Sequence, residues 1–257
     1  MFRFPFFLML LTPIQVLACS CLESSVNDRY MTSDFVGVVE VGQTYEVESS
    51  DERIYIAETK SIESYKGEPP SKVFVSGTTK MAYDGQCEIL IQPGERWLIN
   101  LKKGGNGDFL LSYCSIPVHI GDENGNPLSL SGNIKREMDQ LAFLKNRVPG
   151  LHSEELIFTD SFELREFLLE LGEVSTDREI ATYLIDFTED LSVEQIKILQ
   201  GFSTELDKKI TDYFKTKTDW FSGYFFEKST LIDEPVQYVI SIYYNEDTNS
   251  LSPVDIY

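Results

Sequence analysis

Phe35-Val36-Gly37-Val38-Val39-Glu40-Val41 opens a run, continued through Tyr45 and Val47, whose reading decides how the chain is built. β-Branched and aromatic residues at this density fit a pleated, half-buried surface, whereas in a helix they lose side-chain freedom. The run therefore predicts a long strand. Beyond Ser49-Ser50-Asp51, the segment Arg53 to Tyr65 carries Ile54, Ile56 and Ile62 and predicts a second strand. Lys66-Gly67-Glu68-Pro69-Pro70 reads as a turn, Val73-Phe74-Val75 as a third strand, and Arg96 to Leu101, after Pro93-Gly94, as a fourth. Phe109 to Tyr113 follows the glycine-rich stretch Gly104 to Asp108 as a fifth. The period then changes, because Ile134, Met138, Leu141 and Leu144 fall on one face of a helix. Five short antiparallel strands and a helix suit a small closed β barrel of the oligonucleotide/oligosaccharide-binding (OB) kind.

Toward the N-terminus, residues 1–18 hold one basic residue, Arg3, then an apolar run from Phe4, a break at Thr12-Pro13 and a small residue at Ala18. This layout predicts a secretory signal peptide, since the run is shorter than the ~20 residues that span a bilayer. The mature chain would begin at Cys19 and be exported, secreted or periplasmic. Four cysteines, Cys19, Cys21, Cys87 and Cys114, then sit in an oxidising compartment and read as two disulfides. A Cys19–Cys21 ring would be very short and strained, so both reach forward, to Cys87 and Cys114 in one order or the other. Val16-Leu17-Ala18-Cys19 also passes as a loose lipoprotein cleavage box. A lipid would use the Cys19 thiol and block its amine, so an outer-membrane or cell-surface lipoprotein is an alternative that competes for the same atoms.

Several features in this order resemble one family: Cys19-Ser20-Cys21 at a freshly cleaved terminus, Ser33 to Val39, Tyr65-Lys66-Gly67, Cys87 before a strand and Cys114 after the final one. Over residues 19–147 they are similar to the netrin-type module of tissue inhibitors of metalloproteinases (TIMPs). The resemblance implies a five-stranded OB-fold with the pairing Cys19–Cys87 and Cys21–Cys114. It also implies a protein partner, with a zinc metalloprotease as the sharpest case. There the free amine and carbonyl of Cys19 would chelate the target's zinc. Ser20, Cys21 and Leu22 would lie along the substrate cleft, with Asp84, Gly85 and Gln86 beside them. No cofactor belongs to the chain itself on this reading. A third module disulfide and a proline soon after Cys21, both expected of the family, are absent from the sequence.

After Arg147-Val148-Pro149-Gly150, a linker over residues 148–153 leads to an α+β region over residues 154–257. It is read as mainly helical. Ser161 to Leu171 has helical spacing with Gly172 as a stop. Thr176 to Glu179 and Ser192 to Gln195 have capping-box form and predict helices starting near 177 and 193, the latter ending near Lys215. Two aromatic strands, Trp220 to Glu227 and Val236 to Asn245, would close the chain as a small antiparallel β hairpin around Asp233-Glu234-Pro235. Ile210 to Tyr244 is similar, without a diagnostic motif, to the C-terminal domain of TonB-type energy transducers.

Composition narrows the function. A formal net charge of −20, with 42 acidic against 22 basic side chains, argues against nucleic acid, whose binding draws on clustered Lys and Arg. No membrane contact is expected unless Cys19 is lipidated. His119 and His152 have no partner at ligand spacing, and no nucleophile elbow or phosphate loop is present, so the chain is not read as an enzyme. Asp122-Glu123-Asn124-Gly125-Asn126 has alternating oxygen ligands but lacks the closing acid of a calcium loop, and reads as a hairpin turn. Trp97 and Tyr113 are possible stacking residues for a sugar, but they sit in runs that read more simply as core. Two functions remain: a metalloprotease inhibitor working through Cys19, or a non-inhibitory recognition or scaffold protein.

Overall fold

The computed structural model describes residues 21, 24–47, 53–79, 87–122, 124, 126–129, 132–153, 157–159, 161–174, 176–216, 218–224, 227–246 and 248–253. The opening run becomes β1 (Phe35–Glu46), central in a six-stranded sheet with β2 (Ile54–Lys66), β3 (Lys72–Ser76), β4 (Arg96–Leu101), β5 (Leu110–Leu111) and β6 (Val118–Gly121). The order is β5-β3-β2-β1-β4-β6. All neighbours are antiparallel except β3 and β5, which run parallel. Three register shifts between β1 and β2 let one strand bend past the other, and the sheet curls into a half-barrel. The first four predicted strands stand where expected. The fifth keeps only two residues, and Tyr113–Ser115 winds into a 3-10 turn. β6 is an addition that the sequence reading did not contain.

β1 is buried on both faces, which explains why its sequence is nearly continuous rather than alternating. Phe35, Val39 and Val41 point into the curl, with Tyr55, Val73, Val75, Ile99, Leu101 and Leu111. Val36 and Val38 point out of it, and there the sheet meets two helices: α1 (Val26–Thr32) and α2 (Gly132–Arg147). The sequence reading expected α2 over Ile134 to Leu144 but treated the region of α1 as strand-like. α1 is only seven residues long, and its signal is local: the Ser25 hydroxyl accepts from Asp28 N at 3.1 Å, and the Asp28 carboxylate accepts from Ser25 N at 2.9 Å. Two amide hydrogens that the first turn leaves unpaired are satisfied by this box.

The second half is α+β but not mainly helical. It contains β7 (Ile157–Thr159), α3 (Ser161–Glu170), β8 (Ile180–Phe187), β9 (Val193–Gln200), α4 (Thr204–Thr216), β10 (Trp220–Tyr224), β11 (Glu227–Ser229), β12 (Val236–Asn245) and β13 (Ser250–Ser252). They form a β13-β12-β8-β9 sheet and a separate β11-β10-β7 sheet. The helix expected near 177 is strand β8. Thr176 spends its hydroxyl on Arg178 N at 3.2 Å, in a turn that leads through Ile180 into Ala181-Thr182-Tyr183-Leu184-Ile185, a buried run. The helix expected near 193 is strand β9 over its first half. Asp190 caps the preceding turn by accepting from Thr188 Oγ1 and Ser192 N, and the helix proper starts after Ser203. α3 and the extent of β12 match expectation. The closing hairpin does not form, because β10 pairs with β7 and β11 whereas β12 pairs with β8 and β13.

One apolar core crosses the two halves. Val36, Val38, Leu98, Tyr30 and Met31 belong to the same cluster as Leu141, Leu164, Tyr183, Ile185, Phe214, Val239 and Ile242. The segment 148–153 is held against α1, since Ser153 N donates to Met31 O at 3.2 Å.

Candidate recognition edge at the clamped N-terminus

Cys21 is bonded to Cys114, with their Cα atoms 5.2 Å apart. Cys114 sits in the 3-10 turn after β5, so the bridge ties the start of the described chain to the end of the curled sheet. Cys87 is also disulfide-bonded, its partner lying outside the described residues, and no described cysteine is free. Cys19, Ser20, Leu22, Asp84, Gly85 and Gln86 lie outside the described residues, so of the predicted edge the structure places Cys21 alone.

What holds this edge is nevertheless visible on both sides of it. After Cys87, Ile89 N donates to Ser76 O at 2.9 Å, and the Tyr55 hydroxyl donates to Ile89 O at 3.0 Å while accepting from Ile91 N at 2.9 Å. Burial pushes the Tyr55 phenol up to about 12, so it stays a donor over the whole physiological range. Beyond Cys21, α1 is wedged between the two halves. Asn27 Nδ2 donates to Ser241 Oγ at 2.9 Å, and Gln140 Nε2 donates to Asn27 Oδ1 and to Ser241 Oγ, each at 3.1 Å. Arg29 pairs with Glu137, and the Tyr238 hydroxyl donates to Asp28. Cys21 is thus fixed by its disulfide, and α1 by side-chain bonds to elements of both halves.

The C-terminal end of α1 has an unusual cap that the sequence reading saw only as part of a turn. Lys66, at the end of β2, donates its Nζ to Tyr30 O and Met31 O, each at 2.8 Å, and lies 5.3 Å from the Tyr30 ring centroid. A cation suits the negative end of a helix. Burial pulls the ammonium down to about 8, although the Asp34 carboxylate works against that shift. Gly67, next in sequence, has φ +69 and a Cβ there would lie 1.9 Å from Asp34 O. Tyr65-Lys66-Gly67 is thus a junction between β2, α1 and β1.

The other residues singled out from sequence fall as follows. Tyr113 is 54% exposed beside Cys114, so its reading as core is corrected, because the 3-10 turn swings it off the sheet. Trp97 is half-buried and stacks on His119, with ring centroids 4.7 Å apart and planes at 14°. Its indole N–H donates to Glu95 at 3.0 Å, and His119 Nε2 lies 2.6 Å from Gly121 O. Asp122 accepts from Asn124 N, Asn126 N and Asn126 Nδ2 within a hairpin turn that closes at Gly121 and Pro127. Those bonds hold its carboxyl below the usual range and use the oxygens a calcium ion would need. Among the described residues, no three His, Cys, Asp or Glu side chains are grouped to hold a metal, and no helix is long and apolar enough to cross a membrane. Asn100, buried on β4, carries an amide with no hydrogen-bond partner among the described residues.

No protein-family model matches this chain, and no curated protein is significantly similar to it.

Proposed function

We propose that the chain is an exported protein-binding module, built on an OB-type barrel, that presents its N-terminal edge to a partner protein. The observation that carries this reading is the Cys21–Cys114 bridge, which fastens the chain to the end of the curled sheet two residues after the expected mature start at Cys19. The barrel assignment draws on the strand order, in particular the antiparallel β1-β2-β3 meander, the β1–β4 pairing and the parallel β3–β5 pairing. In the sharper form of the proposal the partner is a zinc metalloprotease, met by the Cys19 amine and carbonyl, with Ser20 to Leu22 and Asp84 to Gln86 alongside. The bonded state of Cys87 supports the disulfide reading of the cysteines over a lipid on Cys19, since diacylation would consume the Cys19 thiol and leave an odd number of cysteines to pair.

Mass analysis of the natively exported protein, alkylated before and after reduction, tests the module. The expected product begins at Cys19, carries no lipid and shows thiols only after reduction; a diacylglycerol mass on Cys19 sinks the proposal. Adding one alanine before Cys19 then tests the sharper form against a panel of zinc metalloproteases. Inhibition that survives the extension would rule out chelation by the terminal amine.

A further inference from the structure

A cleft of about 540 Å³ lies between α2 and the β8–β9 end of the four-stranded sheet, away from the cysteines. Asp139, Phe143 and Arg147 are spaced by four on α2 and so form one stripe along its wall. The opposite wall is built from Arg178, Ile180 and Leu199. The volume is in the ordinary range for a small-ligand site, roughly 300–1,000 Å³. Its floor is fixed, because Gln140 is buried and its Nε2 lies within hydrogen-bond distance of Asn27, Thr182 and Ser241.

The charges in the cleft are specific for a chain so acidic. Arg147 lies with its guanidinium 5.8 Å from the Phe143 ring centroid, and Arg178 is anchored by Nη1 donating to Gly201 O at 2.9 Å. Against these two cations stand Asp139 and Glu179, the latter 3.6 Å from Arg136. A simple anion gains little here, since two carboxylates and a net charge of −20 oppose it. A simple cation meets the two guanidinium groups. A ligand carrying both charges, with an apolar body between them, meets a partner for each part.

We propose that this cleft binds a short zwitterionic peptide: its carboxylate at Arg147, its ammonium group at Asp139, and an apolar side chain against Phe143, Ile180 and Leu199. The site is independent of the N-terminal edge. The test is calorimetric titration of the mature full chain with leucyl-leucine, alongside its N-acetyl and C-amide forms. Saturable binding of the free dipeptide is expected, weakened about threefold to tenfold by either cap. Arg147→Gln should remove the preference for a free carboxylate, and Asp139→Asn the preference for a free amine. Both residues are exposed, and unchanged thermal melts would show that the fold is intact. Absence of saturable binding at roughly 10 mM dipeptide, or equal binding of all three peptides, would overturn the proposal.

Discussion

Lys66 shows how one side chain can set a pH dependence. Its ammonium is buried against the last carbonyls of α1, and its folded value is about 8 against 10.5 when free. Below about 8 both folded and unfolded chains hold the proton, so the group contributes no slope. Between about 8 and 10.5 the unfolded chain holds a proton that the folded chain has released, and stability rises with pH. Above 10 the sign reverses as the free tyrosines ionise, because burial holds folded Tyr55 up to about 12. Lys66→Met should therefore remove the rise between pH 8 and 10. It should also cost on the order of 1–3 kcal/mol at pH 7, where it leaves two helix carbonyls unpaired. Urea melts of both proteins across that range check this, and parallel curves would show that Lys66 does not titrate there. A steric case is Gly201, where a Cβ would lie 2.0 Å from Asp207 Oδ2. Asp207 cannot swing aside cheaply, because it accepts from Tyr183 Oη at 2.8 Å and from Phe202 N at 2.9 Å. Gly201→Ala is expected to lose more than about 2 kcal/mol, whereas Gly105→Ala, with open space at its Cβ, should be near neutral in the same thermal melt.

At the scale of elements, the two cysteines and the strands they fasten are the part with the largest expected effect. The Cys21–Cys114 bridge spans 93 residues, and closing a loop of that order restricts the unfolded chain by roughly 4 kcal/mol in the chain-entropy account. The double variant Cys21→Ser/Cys114→Ser should fold with a lower urea midpoint and an altered slope, since it relaxes the unfolded state; an unchanged midpoint would mean the bridge adds nothing to the fold. These elements were the legible ones. β1 and β12 declared themselves because both are long aromatic and β-branched runs, and α2 because its apolar residues recur at helical spacing. β8 and β9 were misread because a capping-box pattern precedes the first and overlaps the start of the second, while the decisive facts were tertiary. β8 is sandwiched between β12 and β9 with five successive residues buried, and no local pattern separates that from a buried helix. α1 went unseen since seven residues carry little periodicity, although Ser25 and Asp28 held its signal. Of the candidate edge, only the cysteines were readable. The brace formed by Asn27, Gln140 and Ser241 joins positions up to 214 residues apart, and no spacing rule reaches that far.

For the whole molecule, the central question is whether the curled sheet can stand without the second half. Its inner face is self-contained, since Phe35, Val39, Tyr55, Val75, Ile99 and Leu101 fill it. Its outer face is not. Tyr30, Met31, Val36, Val38 and Leu98 are fully or nearly fully buried within a cluster that also takes Tyr183, Ile185, Val239 and Ile242 from the four-stranded sheet. Removing the second half would expose that apolar surface and strand the Asn27 and Asp28 side chains that reach Ser241 and Tyr238. Each fully buried aliphatic side chain is worth about 1.5–3 kcal/mol, so losing cover from several approaches the whole stability of a domain, roughly 5–15 kcal/mol. A protein ending at Arg147 but retaining both disulfides is therefore expected to keep strand-rich far-ultraviolet dichroism. It should nevertheless bind a hydrophobic dye, lose near-ultraviolet signal and melt without a sharp transition. The disulfides act mainly on the unfolded chain and cannot replace the missing packing. A cooperative melt of that fragment near the midpoint of the full chain would show that α1 and α2 cover the sheet by themselves. The second half would then be an appendage, not a brace for the N-terminal edge.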